Sequence, residues 1–230
     1  MKHYPIEIFF VGQTDEDRLA EKLRAVFAGL ERDIISVPAP EIVRAVSDVK
    51  RIDEDMPVNQ GKLVIGMRSG VTLHDPDYPA MLMFNEIFGG GGTSKLFMNV
   101  REKMSLCYYC SSSPDSYKGL LFVQSGIEGE NREVAETAIN DQLEAVRRGE
   151  FTEEEMRSAY LGLVNSYREL SDSARGLESW YLGRMLAGVG GAPDDVSERL
   201  SVVTKDEIIA AAKKSAVDTV YFLRGTLKGD

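Results

Sequence analysis

The chain has 230 residues, 43% of them hydrophobic and 28% charged, which is an ordinary composition for a folded globular protein. Its 27 basic and 37 acidic residues give a formal net charge of −10, and no basic run is longer than a pair, which argues against nucleic acid and anionic membranes as partners. No apolar run reaches the roughly 18 residues of a membrane helix, and two cysteines make no disulfide framework, so a cytoplasmic location is predicted.

The first 32 residues predict a strand followed by a helix. Residues 6–11 form a strand-like apolar run, and Thr14 is positioned as the N-cap of a helix that ends near Gly29. Residues 33–59 lose periodicity and predict a linker. Because a lone strand and helix cannot bury their apolar faces, residues 1–32 are interpreted as the tail of a preceding half-domain.

Residues 60–230 predict a fuller domain. In chain order the pattern predicts a strand, two helices, two strands, a series of helices and a last strand. The predicted strands are 63–67, 106–112, 120–125 and 217–223. One helix begins with a capping box formed by Thr152 and Glu155. Neighbouring strands without a regular βαβ alternation predict an α+β fold with a largely antiparallel sheet covered by helices.

Four consecutive glycines at 89–92 resemble a phosphate-binding loop but lack its pattern. Such a loop follows a strand and has glycine directly before a lysine that Ser or Thr follows. Here Ser94 precedes Lys95, Leu96 follows it, and a predicted helix comes before the glycines. Two interpretations stay open. The run is either a helix C-cap with a flexible connector or a loop whose N–H groups approach a ligand such as a peptide main chain.

Residues suited to metal binding or nucleophilic catalysis are few. Cys107 and Cys110 fall in a predicted strand, where residues three apart face opposite sides, so their sulfurs are expected to diverge and fill space. A hydrolytic zinc site takes three protein ligands, but His3 and His74 are the only histidines in the sequence. Neither H-x-x-E-H nor G-x-S-x-G occurs. The chain is therefore expected to bind no metal and to have no catalytic activity alone.

Residues 85–108 carry several motifs in a fixed order. The glycine run is followed by S-x-L-F from Ser94, V-R-E-K from Val100 and L-x-Y from Leu106. This segment resembles the second half of insulinase, pitrilysin and processing-peptidase proteins, and bacterial zinc-protease-like proteins in particular. A looser similarity extends over nearly the whole chain.

The resemblance implies two similar α+β halves that close like a clamshell around a chamber, with zinc in one half. It implies that the other half supplies an arginine and a tyrosine, seven residues apart, that hold the substrate backbone; these are Arg101 and Tyr108 here. Gly90, Gly91 and Gly92 are the predicted substrate-binding residues. No cofactor is expected in this chain, because the resemblance puts zinc in the partner half.

The chain is accordingly predicted to be the non-catalytic C-terminal half of a zinc metallopeptidase-like protein. Its expected partners are a zinc-bearing N-terminal half or a paired subunit, which includes a second copy of this chain, and a peptide or unfolded protein segment. One alternative is a catalytically dead structural or interaction subunit. A nucleotide-binding protein is the third.

Overall fold

A computed structural model describes residues 2–38 and 41–227. The helices are α1 (Glu16–Phe27), α2 (Tyr78–Asn85), α3 (Arg132–Arg147), α4 (Glu153–Ser171), α5 (Ala174–Leu186), α6 (Pro193–Leu200) and α7 (Lys205–Lys214). The strands are β1 (Lys50–Met56), β2 (Gly61–Arg68), β3 (Cys107–Asp115), β4 (Leu120–Ile127) and β5 (Ala216–Gly225). A first π-helix spans Glu86–Gly90, a second spans Leu96–Lys103, and a 3₁₀ turn spans Gly129–Asn131. Across these described ranges no helix has both the length and the apolarity to cross a membrane.

The strands form one five-stranded sheet in the order β1-β5-β2-β4-β3. β1 runs parallel to β5, and the other three neighbouring pairs are antiparallel. In the middle of the sheet Ile65 pairs with Val123 on one side and Val220 on the other. The predicted α+β fold with a largely antiparallel sheet is therefore confirmed.

One face of the sheet forms one side of the core. Leu63, Ile65 and Met67 alternate along β2 and are buried, as the period of two in a half-buried strand requires. Helix α2 is buried on all sides, and Phe84 stacks on Phe88 of the first π-helix with ring centroids 5.5 Å apart. Residues of α3, α6 and α7 complete the same buried cluster. The core thus lies between the sheet and these helices.

The predicted strand at 6–11 is wrong, since these residues form no strand. A strand needs a partner for its backbone groups, and none of the described residues pairs with this run. The helix that follows begins at Glu16 and not after Thr14, because the side chain of Asp15 accepts a hydrogen bond from the N–H of Arg18 at 3.0 Å. No residue of α1 is buried.

Strand β1 lies inside the stretch 33–59, which the sequence predicted to be a linker. (Ala39 and Pro40 of that stretch are outside the described residues.) All seven residues of β1 are exposed, so the strand carries no apolar alternation. It is held by pairing with β5 and by charged contacts: Arg51 pairs with Glu136 of α3 at 2.8 Å, and Arg132 of α3 pairs with Asp53 at 2.8 Å.

Replacing Phe88 by alanine tests the position of the core. The Phe88 side chain is completely buried, so its removal should lower the free energy of unfolding by about 3–5 kcal/mol. The matched control is Val202→Ala, whose side chain is 75% exposed and whose loss should change that free energy by less than about 0.5 kcal/mol. Urea unfolding followed by circular dichroism measures both, and equal losses would contradict the described core.

Candidate functional site

The chain reverses direction between Arg101 and Tyr108. The second π-helix ends at Lys103 with Met104 as its C-cap, and Ser105 adopts the left-handed conformation with φ 51°. The N–H of Leu106 donates to the carbonyl of Val100 at 3.2 Å. Strand β3 then begins at Cys107. This turn brings the Nε–H of Arg101 to the carbonyl oxygen of Tyr108 at 2.9 Å. The seven-residue spacing in the sequence is therefore a direct contact in the fold.

A β-bulge at Tyr108 sets the direction of its side chain. Cys107 pairs with Ile127 and Tyr109 pairs with Gly126, so Tyr108 is the extra residue between two paired positions. Its side chain points to solvent and is 62% exposed. Glycine at 126 is required because a Cβ there would lie 2.5 Å from the ring of Tyr109. The bulge thus presents the phenol of Tyr108 at the surface beside Arg101.

Three contacts orient the two side chains. The hydroxyl of Tyr108 donates to the carboxylate of Glu128 at 2.7 Å, and this hydrogen bond raises the pKa of Tyr108. The guanidinium of Arg101 lies 4.7 Å from the centre of the Phe97 ring and pairs with Glu102 at 2.9 Å. Tyr108 is therefore a neutral hydrogen-bond donor, and Arg101 is a cation of restricted orientation. Both groups suit the binding of carbonyl oxygens.

The expected divergence of Cys107 and Cys110 is wrong. The bulge inserts one residue and turns both side chains to the same face of β3, where each thiol shifts the pKa of the other. The hydrogen bond from Cys110 lowers the pKa of Cys107 to about 7, and the positive charge of Arg101 acts in the same direction. The pKa of Cys110 is raised by that same hydrogen bond and by burial.

The first three glycines of the run pack closely against their surroundings, and each of the three has its own neighbours. At Gly89 a Cβ would lie 2.6 Å from the side chains of Leu96 and Ser112. At Gly90 it would lie 2.5 Å from the amide nitrogen of Asn85, and at Gly91 2.8 Å from the carboxylate of Glu86. Gly92 has nothing within 4 Å of that position. Neighbouring atoms therefore lie too close to the backbone for a side chain at Gly89, Gly90 or Gly91. A flexible connector would not require glycine at these three positions.

Gly91 and Gly92 line a cavity of about 340 Å³ that Glu86 also lines. The residues around this cavity do not include Arg101 or Tyr108, so the predicted site residues form two separate places on the molecule. A carboxylate beside the glycines also disfavours phosphate, and the run follows a helix, so nucleotide binding has no support here. The sequence did contain a signal for Glu86, which is an acid at the end of the apolar stretch Tyr78–Asn85.

The described residues do not fit a zinc site. The ring of His3 is hydrogen-bonded to the carbonyl of Asp33 at 3.3 Å, and His74 lies exposed in the turn before α2. In the part of the chain that the structure describes, no three His, Cys, Asp or Glu side chains cluster as metal ligands.

Comparison with known proteins identifies relatives of the whole chain. The family described as "Peptidase M16 inactive domain" matches residues 5–162. The "Probable inactive metalloprotease YmfF" of Bacillus subtilis is 38% identical over 221 residues, which are 96% of this chain and 52% of that protein. Among solved structures, a conserved protein from Enterococcus faecalis has a TM-score of 0.82 and 31% identity over 94% of this chain and 51% of that one. A peptidase M16 inactive domain from Pseudomonas fluorescens has a TM-score of 0.75 and 20% identity over 94% of this chain and 53% of that one.

These matches confirm the family resemblance found in residues 85–108 and the α+β fold of the inactive domain. The chain spans about half the length of the proteins that it matches, 52% in the case of the Bacillus subtilis protein.

The thiol pair predicts a difference in reactivity. Because only the thiolate is alkylated, the rate of iodoacetamide labelling of Cys107 should rise with pH with a midpoint near its pKa of about 7. Cys110, whose pKa is raised, should stay unlabelled until the protein unfolds. Peptide mapping by mass spectrometry measures both rates. In Cys110→Ala, which removes the hydrogen bond, the Cys107 midpoint should move up toward about 8.5. A common midpoint for both thiols would contradict the contact between them.

Proposed function

Because this chain belongs to the peptidase M16 inactive-domain family, we propose that it is the non-catalytic half of a metallopeptidase-like protein and contributes substrate-binding residues to a zinc-bearing half. The observation that carries the proposal is the contact between Arg101 and Tyr108 at an exposed turn. The substrate is a peptide or an unfolded protein segment. A second copy of the chain is a further possible partner, and the cytoplasm is the proposed location.

The chemistry of peptide hydrolysis gives this pair a role. Attack on a peptide carbonyl produces a tetrahedral oxyanion, which hydrogen-bond donors held in place stabilise. A zinc ion held by the partner half would supply the activated water for this attack. The hydroxyl of Tyr108 exchanges the carboxylate of Glu128 for the substrate oxygen, so Glu128 holds this donor in position before the peptide arrives. Arg101 has five N–H donors, and the contacts to Tyr108 and Glu102 use two of them.

Strand β3 is suited to hold the peptide main chain next to this pair. It is the last strand of the sheet order and pairs with β4 along one edge. An extended peptide can add to such an edge through its backbone hydrogen bonds. Tyr108 lies near the start of this strand, so a peptide paired along β3 passes beside its hydroxyl group. Pro114 lacks an N–H and limits pairing at the far end of the strand.

A second candidate function is a structural or interaction subunit without a role in catalysis. It is favoured by the Bacillus subtilis relative, which is described as a probable inactive metalloprotease. In this case Arg101 and Tyr108 would stabilise the turn at Ser105 and nothing more. The two candidates differ in what a substitution at Tyr108 does to catalysis.

Substituting Tyr108 by phenylalanine in a complex reconstituted with the zinc-bearing half separates these functions. Loss of one donor to the oxyanion should lower kcat by about 10²–10³-fold. Arg101→Ala should lower kcat and also raise KM, because the guanidinium of Arg101 binds the peptide in the ground state too. Tyr109→Phe is the matched control, because Tyr109 packs over Gly126 through its ring and should keep full activity. Unchanged kcat and KM in Tyr108→Phe and Arg101→Ala would leave the interaction subunit as the function.

Metal analysis of the purified chain tests the assignment of zinc to the other half. With two histidines and no cluster of ligands among the described residues, the chain should hold far less than one zinc per molecule. It should also show no peptidase turnover by itself. Inductively coupled plasma mass spectrometry after dialysis gives the metal content. One tightly bound zinc per chain, retained through dialysis, would refute the proposal.

A further inference from the structure

Glu86 is enclosed by glycines from two elements. It is the first residue of the first π-helix, which continues the buried helix α2. A Cβ at Gly90 or Gly91 would lie 2.9 Å or 2.8 Å from its carboxylate oxygens, and a Cβ at Gly162 of α4 would lie 3.1 Å from Oε1. The side chain therefore occupies space that exists only because three neighbours have no side chain.

Among the residues that the structure describes, the carboxylate of Glu86 has no counter-ion. Within residues 2–38 and 41–227 it takes part in no hydrogen bond or ion pair, and burial alone raises its pKa. Glu155, on the same cavity, is already satisfied: it pairs with Lys95 at 3.0 Å and accepts from the N–H of Thr152 at 2.7 Å. An ionised carboxyl group that is partly removed from water and left unpaired costs free energy, which a bound cation would offset.

The space next to this carboxylate has the size and polarity of a small binding site. Its volume of about 340 Å³ lies at the lower end of the range for ligand pockets, which suits a single side chain or chain terminus. Thr93 and Ser158 line it and offer hydroxyl oxygens. A metal ion is not its ligand, since the described residues bring no third carboxylate, histidine or cysteine to the cavity. Anionic ligands would be repelled by Glu86.

We propose that this cavity binds the ammonium group of a peptide, either a lysine side chain or the free N-terminus, with Glu86 as its counter-ion. The hydroxyl oxygens of Thr93 and Ser158 accept further hydrogen bonds from the three ammonium N–H groups. This inference rests on the proposed function for its ligand and deepens it, because it names a positive group that the substrate carries. The proposed site also explains why position 91 is glycine, because the absence of a side chain there leaves room for both the carboxylate and its ligand.

Titration of the ¹⁵N-labelled chain with small amines tests the site without any zinc half. The probes are N-acetyl-lysine amide, alanine amide, which has a free α-ammonium group, and N-acetyl-norleucine amide as the neutral analogue of the first. At least one amine should shift the amide resonances of Gly91, Gly92 and Gly162, and the norleucine compound should not. A response to the lysine compound alone identifies the side chain, and a response to alanine amide alone identifies the terminus. Equal shifts with norleucine, or none with either amine, would overturn the proposal.

Two variants test separately the charge of Glu86 and the space beside its carboxylate. Glu86→Gln keeps the shape and removes the charge, so amine binding should weaken by about tenfold or more. Gly162→Ala places a methyl group 3.1 Å from Oε1 in the middle of α4, where alanine favours the helix, and should weaken binding in a well-folded chain. The matched control is Glu154→Gln, an exposed acid on the same helix that does not line this cavity. Wild-type affinity in Glu86→Gln would exclude Glu86 as the counter-ion.

The same titration distinguishes failure of this inference from failure of the proposed function. Arg101 and Tyr108 do not line the cavity, so their variants should bind the amines with wild-type affinity whatever happens to catalysis. Suppose that the reconstituted complex with Tyr108→Phe keeps wild-type peptidase activity, while Glu86→Gln loses amine binding. This pair of results would reject the proposed function and keep the cation site. The opposite pair of results would reject the cation site alone.

Discussion

The β-bulge at Tyr108 inserts one residue between two paired positions of β3 and β4, and three features of the molecule depend on it. It points the phenol of Tyr108 to solvent, where the hydroxyl reaches Glu128. It leaves the carbonyl oxygen of Tyr108 free to accept a hydrogen bond from the Nε–H of Arg101. It also turns Cys107 and Cys110 to one face, with the buried thiol against the half-buried one. Bulges often re-aim a side chain at the edge of a sheet, and this one does so beside the most distinctive motif of the chain.

The segment from Glu86 to Tyr108 is fixed to the body of the protein by close packing. Gly89 lies against Ser112 of β3, and the hydroxyl of Ser112 donates to the side chain of Asn85 at 2.7 Å. Two π-helices interrupt the ordinary helical hydrogen bonding here, a feature that is frequent at functional sites. The first three glycines are thus packed against the body of the fold, and the Glu86 cavity lies near one end of the segment while Arg101 lies near the other.

Local signals in the sequence predicted most of the elements. Apolar periodicity located the strands of the main sheet other than β1, and the capping box of Thr152 and Glu155 starts α4 as expected. Strand β1 was missed because charged side chains form it, and pairing with β5 and ion pairs to α3 stabilise it. The strand predicted at 6–11 had the right residues but no partner in the described chain. Pairing between distant segments is a tertiary property that a local pattern does not contain.

The candidate site was predictable in its residues and not in its geometry. The motif order singled out Arg101 and Tyr108, and their contact depends on the left-handed turn at Ser105, a position where glycine would have been the usual signal. The placement of Cys107 and Cys110 on one face depends on a bulge that no glycine in β3 itself marks. Glu86 was missed because its cavity is formed by α4, which is more than 60 residues away in the sequence.

The claim that Arg101 and Tyr108 act together on one peptide group is tested most directly by a double-mutant cycle on kcat/KM in the reconstituted complex. The cycle uses Arg101→Ala, Tyr108→Phe and the double variant. If both donors serve the same oxygen, the double variant should lose little more than the worse single variant. Wild-type kcat/KM in all three variants would contradict the account and leave this surface without a role in catalysis.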